Sequence, residues 1–212
     1  MKTNSTHADH GRTVSFLGTD FPLAGTAPAV GSVAPNFCVT QWTNLYKVHF
    51  QLENLLQVGK PVLLTTSQTV DSPVSTIQIL TLERMLRKFN RKVCAMHVTC
   101  DLPFSINRFF REHNIQHIFA GSDYREHSFL EFGVMLRDEL ILCRSCFIID
   151  DMGVIQHVEI PSEITTELDY HTIEKVLDGL LQPDEDGSDE AEDGNAADDG
   201  QATDVADDSG VA

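Results

Sequence analysis

The sequence predicts an α/β fold in which a central mixed sheet is flanked by helices on both faces. Three observations predict it. Short apolar runs such as Pro61-Val62-Leu63-Leu64 and Val93 to Val98 have the length of buried strands. Longer stretches between them carry apolar residues at helical spacing. Toward the C-terminal end, Cys143 to Asp150 and Val154 to Ile160 read as two strands joined by the Asp/Gly turn Asp151-Met152-Gly153.

Taken in order, Met1 to Thr13 is polar and is expected to be disordered. It has no apolar signal-peptide core, so a cytoplasmic chain is expected. Pro61 to Leu64 is a strand. The polar turn Ser67 to Ser75 follows it. The spacing then predicts a helix over Thr76 to Asn90, with Ile77, Leu80, Met85, Leu86 and Phe89 facing inward and Glu83, Arg84, Arg87 and Lys88 on the other side. Val93 to Val98 is the next strand. Phe104 to Glu112 is a helix, for which Asp101 offers a capping acid and Pro103 an early proline. Ile115 to Ala120 reads as a short strand and Ser128 to Gly133 as a short helix. Tyr170 to Leu181 is the last helix, with Ile173, Val176, Leu177 and Leu180 on one face. Strand, helix, strand, helix, then a hairpin and a helix is the order of a thioredoxin-like core.

Composition sets the outer limits. The chain has 212 residues, 42% of them hydrophobic, which suits one domain over 14–182 with a tail at each end. No apolar run approaches a membrane span. The formal charge of −17 is concentrated at one end, because residues from Pro183 onward include 12 acids and no Lys or Arg. The rest carries 20 acids against 15 bases. Residues 183–212 have almost nothing to bury and are expected to form a disordered acidic tail. Neither part offers a basic, aromatic-lined surface, so no nucleic-acid partner is expected.

The turn from Ser67 to Ser75 is the place where chemistry is expected. A strand feeding a helix through a polar turn sets Ser75 near the positive end of the helix dipole. A cysteine there would be held as a thiolate. A serine has no comparable route to its alkoxide and cannot pass through sulfenic acid.

Five cysteines, at 38, 94, 100, 143 and 146, form no secreted framework. Cys143 and Cys146 have redox-pair spacing, but residues three apart on a strand point to opposite faces. Cys38 and Cys94 lie in apolar stretches and are expected in the core. Cys100, in a strand-to-helix loop, is the best candidate for a reactive thiol. The nine histidines include no His-x-x-x-His pair inside a predicted helix, and His113 and His117 straddle a helix end, so no metal and no cofactor are expected. No Gly-x-Ser-x-Gly elbow is present.

The turn also resembles the active-site loop of the thiol peroxidases, a bacterial branch of the peroxiredoxins, which reads Pro-x-x-x-Thr-x-x-Cys. Here the pattern falls on Gln68, Ser72 and Ser75. The resemblance runs from about Val14 to Leu181. Val14 to Gly18 is similar to the opening strand of the family's N-terminal β-hairpin, and Gly31 to Phe37 to the entry before the first core strand. Asp101-Leu102-Pro103-Phe104 and Glu163-Ile164-Thr165-Thr166-Glu167 are similar to two specific signatures, and Phe129 to Val134 to a third region. Arg144 stands where the family's active-site arginine begins a strand. The resemblance implies a thioredoxin-like fold, a homodimer, and an active site at Ser75, Ser72 and Arg144. It also implies that His97 and Phe110 occupy the positions of a second cysteine pair. With no cysteine at 75, 97 or 110, the expected chain keeps the fold and has lost the peroxidase, leaving a binding, regulatory or structural role. Arg144, without a thiolate, is expected to pair with an acid such as Asp71, to serve an anion, or to stand as a satisfied structural arginine at a strand start. The alternative is an active peroxidase working through Cys100, in which case thioredoxin becomes a partner.

Overall fold

The structure is a computed structural model that describes residues 11–42 and 47–182. The expected disordered tail, and the first ten residues of the expected disordered N-terminus, lie outside the described residues. Thr13, expected in that N-terminus, instead belongs to the first strand.

Strands β1 (Thr13–Phe16) and β2 (Thr19–Ala24) form the expected hairpin, turning through Leu17 and Gly18, both at positive φ. A short strand, β8 (Met135–Leu136), adds to β2 to complete a three-stranded sheet. The main sheet has seven strands in the order β10-β9-β5-β6-β7-β3-β4. Its centre is parallel: β5 (Val62–Thr66), β6 (Cys94–Thr99) and β7 (Ile118–Ser122). The flanks are antiparallel: β9 (Ser145–Ile149) and β10 (Ile155–Glu159) on one side, β3 (Cys38–Trp42) and β4 (Lys47–Gln51) on the other. This is the mixed thioredoxin-like sheet that the element order predicted.

The alternation of side chains along each strand builds two cores. Val62, Leu64, Met96, Val98 and Phe147 enter one; Leu63, Ala95 and Ile148 enter the other. The first core is closed by Phe37, Phe129 and Phe132, whose rings pack at 5.0 to 6.2 Å. The second is covered by α2 (Pro73–Leu86), α3 (Pro103–Glu112) and α4 (Tyr170–Leu181). A short helix, α1 (Leu52–Leu56), buries Leu52 and Leu55 in the first.

Four expectations change. Helix α2 starts at Pro73, three residues early, because Ser72 caps it and proline suits the first helical position. Its buried face is Ser75, Gln78, Ile79, Leu82, Glu83 and Leu86, while Ile77 is exposed and Leu80 half-buried. Polar residues turn inward because each has work there. The Gln78 amide donates to the Thr66 carbonyl at 3.2 Å, and Glu83 accepts the backbone N–H groups of Gln116 and His117. Those two bonds also hold residues 116–117 out of the sheet, so β7 starts at Ile118 rather than Ile115. The short helix at Ser128–Phe132 is a 3-10 turn.

That turn ends at Gly133, whose φ is +64°. A Cβ there would sit 2.4 Å from the Ala27 backbone nitrogen. Gly133→Ala should therefore destabilise the fold by more than about 2 kcal/mol, combining a left-handed backbone penalty with a backbone clash. Urea unfolding within a few tenths of wild type would contradict this packing.

Candidate functional site

The loop after β5 is held by one carboxylate. Asp101, from the loop after β6, accepts the Thr69 hydroxyl at 2.9 Å, the Val70 N–H at 2.8 Å and the Thr99 hydroxyl at 2.9 Å. Asp101 was expected to cap α3. That helix is instead preceded by Leu102 with no side-chain cap, and Asp101 ties the two strand-to-helix loops together. A carboxylate offers about four lone-pair directions, so three such bonds suit it.

Ser72 then starts α2. Its hydroxyl accepts the Ser75 N–H at 3.1 Å and donates to the Ser75 hydroxyl at 2.7 Å. Ser75 is the third helical residue and is 0% exposed. Its oxygen is thus part of the helix cap and closed off from solvent.

Arg144 is 1% exposed, immediately before β9. One terminal nitrogen donates to the Val74 carbonyl at 3.0 Å. The other donates to the Thr166 carbonyl at 2.8 Å and lies 3.0 Å from the Glu167 carboxylate. The expected pairing with Asp71 is overturned. Asp71 faces outward, 3.5 Å from Arg108, whereas the guanidinium fork meets two carbonyls and the carboxylate of Glu167, which is itself partly in solvent. Glu167 also accepts the Tyr170 hydroxyl. Burial first, then that bond, pushes the Tyr170 phenol upward. The structure therefore brings Ser72, Ser75 and Arg144 to one helix start, with Val74 as the link.

His97 lies on β6, 1% exposed. Its Nδ1 is 2.9 Å from the Thr65 hydroxyl and its Nε2 is 2.9 Å from the Ser67 hydroxyl. Burial, and secondarily the charge of Arg144, pulls its pKa down to about 3. It is a neutral, doubly bonded core histidine.

The thiols are held protonated. Burial pushes Cys100 up to about 12, with Asp123 and Asp101 adding to the effect. Burial likewise pushes Cys143 to about 12 and raises Cys94, Cys146 and Cys38. Cys143 and Cys146 sit in different cores, although β9 starts only at Ser145 and leaves Cys143 ahead of the strand expected to hold both. Cys38, expected in the core, is half-buried on β3, where its sulfur lies 3.7 Å from His49. Among the described residues no group of three His, Cys, Asp or Glu is arranged to hold a metal.

An apolar cleft of about 400 Å³ opens beside the turn. Gln68, Ser72 and Val74 from the turn line it together with Phe16, Phe21 and Ile164. Ser75 does not line it. Sequence reasoning missed Glu167 and Gln78. Glu167 stood in a recognised signature but had no assigned partner, and Gln78 gave no signal at all.

The AhpC/TSA family model matches residues 30–158. A thiol peroxidase of Vibrio cholerae serotype O1 (strain El Tor Inaba N16961) is 32% identical over 167 residues, covering 76% of this chain and 97% of its own. A thiol peroxidase of Aquifex aeolicus is 30% identical over 179 residues, covering 80% and 99%. Among solved structures, a peroxiredoxin-like protein from Aquifex aeolicus matches with a TM-score of 0.70 at 28% identity, over 80% of this chain and 98% of that one. A Chromobacterium violaceum thiol peroxidase matches with a TM-score of 0.70 at 22% identity, over 79% and 95%, which speaks to the fold alone. No helix of the described residues is long and apolar enough to cross a membrane.

The His97 environment has a pH consequence. Its folded pKa lies below the unfolded value near 6.5, so the unfolded chain binds the extra proton as pH falls. The contribution is complete above about pH 6.5 and is lost toward pH 3, amounting to about 2 kcal/mol by pH 5. Imidazole NMR should show no His97 titration between pH 5 and 8. A midpoint near 6.5 would mean the ring is solvated.

Proposed function

The chain belongs to the AhpC/TSA family, among the thiol peroxidases, and we propose that it has given up thiol-dependent peroxide reduction and keeps the fold for binding. The observation that carries this reading is Ser75, a fully buried hydroxyl bonded into the cap of α2. Peroxide reduction needs a thiolate whose sulfur attacks one oxygen, breaks the O–O bond and becomes a sulfenic acid. A capped serine oxygen supplies neither the charge nor the polarisable lone pair. His97 and Phe110 stand where the family resemblance puts a second pair of thiols, and both are buried. His97 is committed to Thr65 and Ser67.

The rival reading, a peroxidase using Cys100, finds little support. Burial, with the charges of Asp123 and Asp101 adding to it, pushes that thiol up to about 12, so its thiolate is scarce at neutral pH. The same proposal includes a cytoplasmic homodimer with no cofactor. It binds through the apolar cleft beside Ser72, whose lining is almost free of polar surface.

The test is peroxide consumption with excess dithiothreitol, run on the full chain, Cys100→Ser and Ser75→Cys. Wild type and Cys100→Ser should match the uncatalysed thiol background. Ser75→Cys should gain mass on peroxide treatment only at the rate at which the first turn of α2 opens, since α2 still presents its N-terminus to position 75 but the position is closed off from solvent. Turnover by wild type that disappears in Cys100→Ser would establish the rival.

A further inference from the structure

A second pocket, of about 220 Å³, lies at the opposite end of the parallel strands. Ser75 follows the C-terminal end of β5. This pocket is built where β6 and β7 begin, at Cys94 and Ile118. Its floor is apolar, with Val93, Cys94 and Ile118 all buried. Its rim carries two cations, Lys60 and Arg91, and beside them the ring of His117. No carboxylate lines it. Residues 1–182 carry 20 acids against 15 bases, so a rim of two cations without an acid departs from the composition around it.

Lys60 and His117 are each held by a specific contact, and Arg91 stands on an unusual turn. Asn90 and Arg91 are consecutive residues at positive φ, +46° and +61°, neither of them glycine. That unusual turn carries Arg91 to the pocket. Lys60 fixes it by donating to the Arg91 carbonyl at 2.8 Å, and its ammonium has two further hydrogens. His117 is set from behind by Glu83. The buried carboxylate lies 2.7 Å from Nδ1 and also accepts the backbone N–H groups of Gln116 and His117. With Nδ1–H donating to Glu83, Nε2 is the ring nitrogen turned away from it. Asp150 and Asp151 face Lys60 only from a neighbouring groove, which Lys92 shares.

We propose that this pocket binds a small organic anion, a phosphate monoester with an apolar body of about one aromatic ring, the phosphate on Arg91 and Lys60 and the ring on Val93, Cys94 and Ile118. The guanidinium fork matches phosphate oxygens in pairs, and Lys60 adds a point charge. The volume suits one ring and one phosphate. The site is independent of whether position 75 retains any chemistry.

Phenyl phosphate is the probe, titrated into the full chain and followed by backbone amide NMR, with inorganic phosphate and phenol as separate arms. Phenyl phosphate should give saturable shifts centred on Arg91 and residues 116–119. Loss of one charge-assisted contact in Arg91→Gln or Lys60→Gln should weaken it by about tenfold. Inorganic phosphate should bind more weakly for lack of the ring, and phenol for lack of charge. Equal binding of inorganic phosphate would overturn the apolar half of the proposal, and equal binding of phenol the anionic half. Shifts that do not saturate, that centre elsewhere, or that survive both substitutions in chains with native-like spectra would overturn the site.

Discussion

A buried guanidinium organises this fold around its sequence motifs. Arg144 sits almost wholly out of water, and an arginine cannot shed its proton to relieve the cost. Its terminal nitrogens must therefore find acceptors in fixed places. They find the Val74 carbonyl in the first turn of α2, and the Thr166 carbonyl and Glu167 carboxylate ahead of α4. Three segments far apart in sequence are thus placed by one side chain. Removing any one of them leaves a charge in the interior without its partners. In the structure Arg144 is met by carbonyls and an acid, with no need of an anion at position 75, which explains how the helix start stays ordered around a neutral serine.

Much of the fold was legible in the sequence. The strands at Val62 to Thr66, Cys94 to Thr99 and Ser145 to Ile149 stand in apolar runs that admit one reading. The helix from Tyr170 was equally plain, whereas the hairpin at the start was expected from the family resemblance. The less legible parts share one cause. Where a polar residue faces inward with a partner, the apolar period points to the wrong face. Helix α2 shows this best, since Ser75, Gln78 and Glu83 are buried and Ile77 is not. Glu83 then shifts the start of β7 by taking two N–H groups that a sheet would have used.

The site was legible as a set of positions but not as a set of partners. Ser72, Ser75 and Arg144 do converge. The acid that meets Arg144 comes from another segment, because side-chain pairing across 23 residues leaves no trace in spacing. Asp101 was visible as an acid ahead of a proline, and a helix cap was the local reading. The long-range role, joining two loops through Thr69, Val70 and Thr99, depends on β5 and β6 lying parallel and adjacent. That adjacency is a property of the sheet order.

The distribution of sulfur across the sheet carries one more consequence. Cys143 belongs to the core on one face and Cys146 to the core on the other, and both are fully buried. A thiol reagent reaches either one only when its own layer opens. The two sulfurs are therefore built-in reporters of local unfolding, one for each face, three residues apart on the same segment of chain. Comparing their labelling rates under native conditions separates the opening free energies of the two layers without any introduced probe. It would tell whether the layer beneath α2 and α4 breathes separately from the layer closed by the phenylalanine cluster.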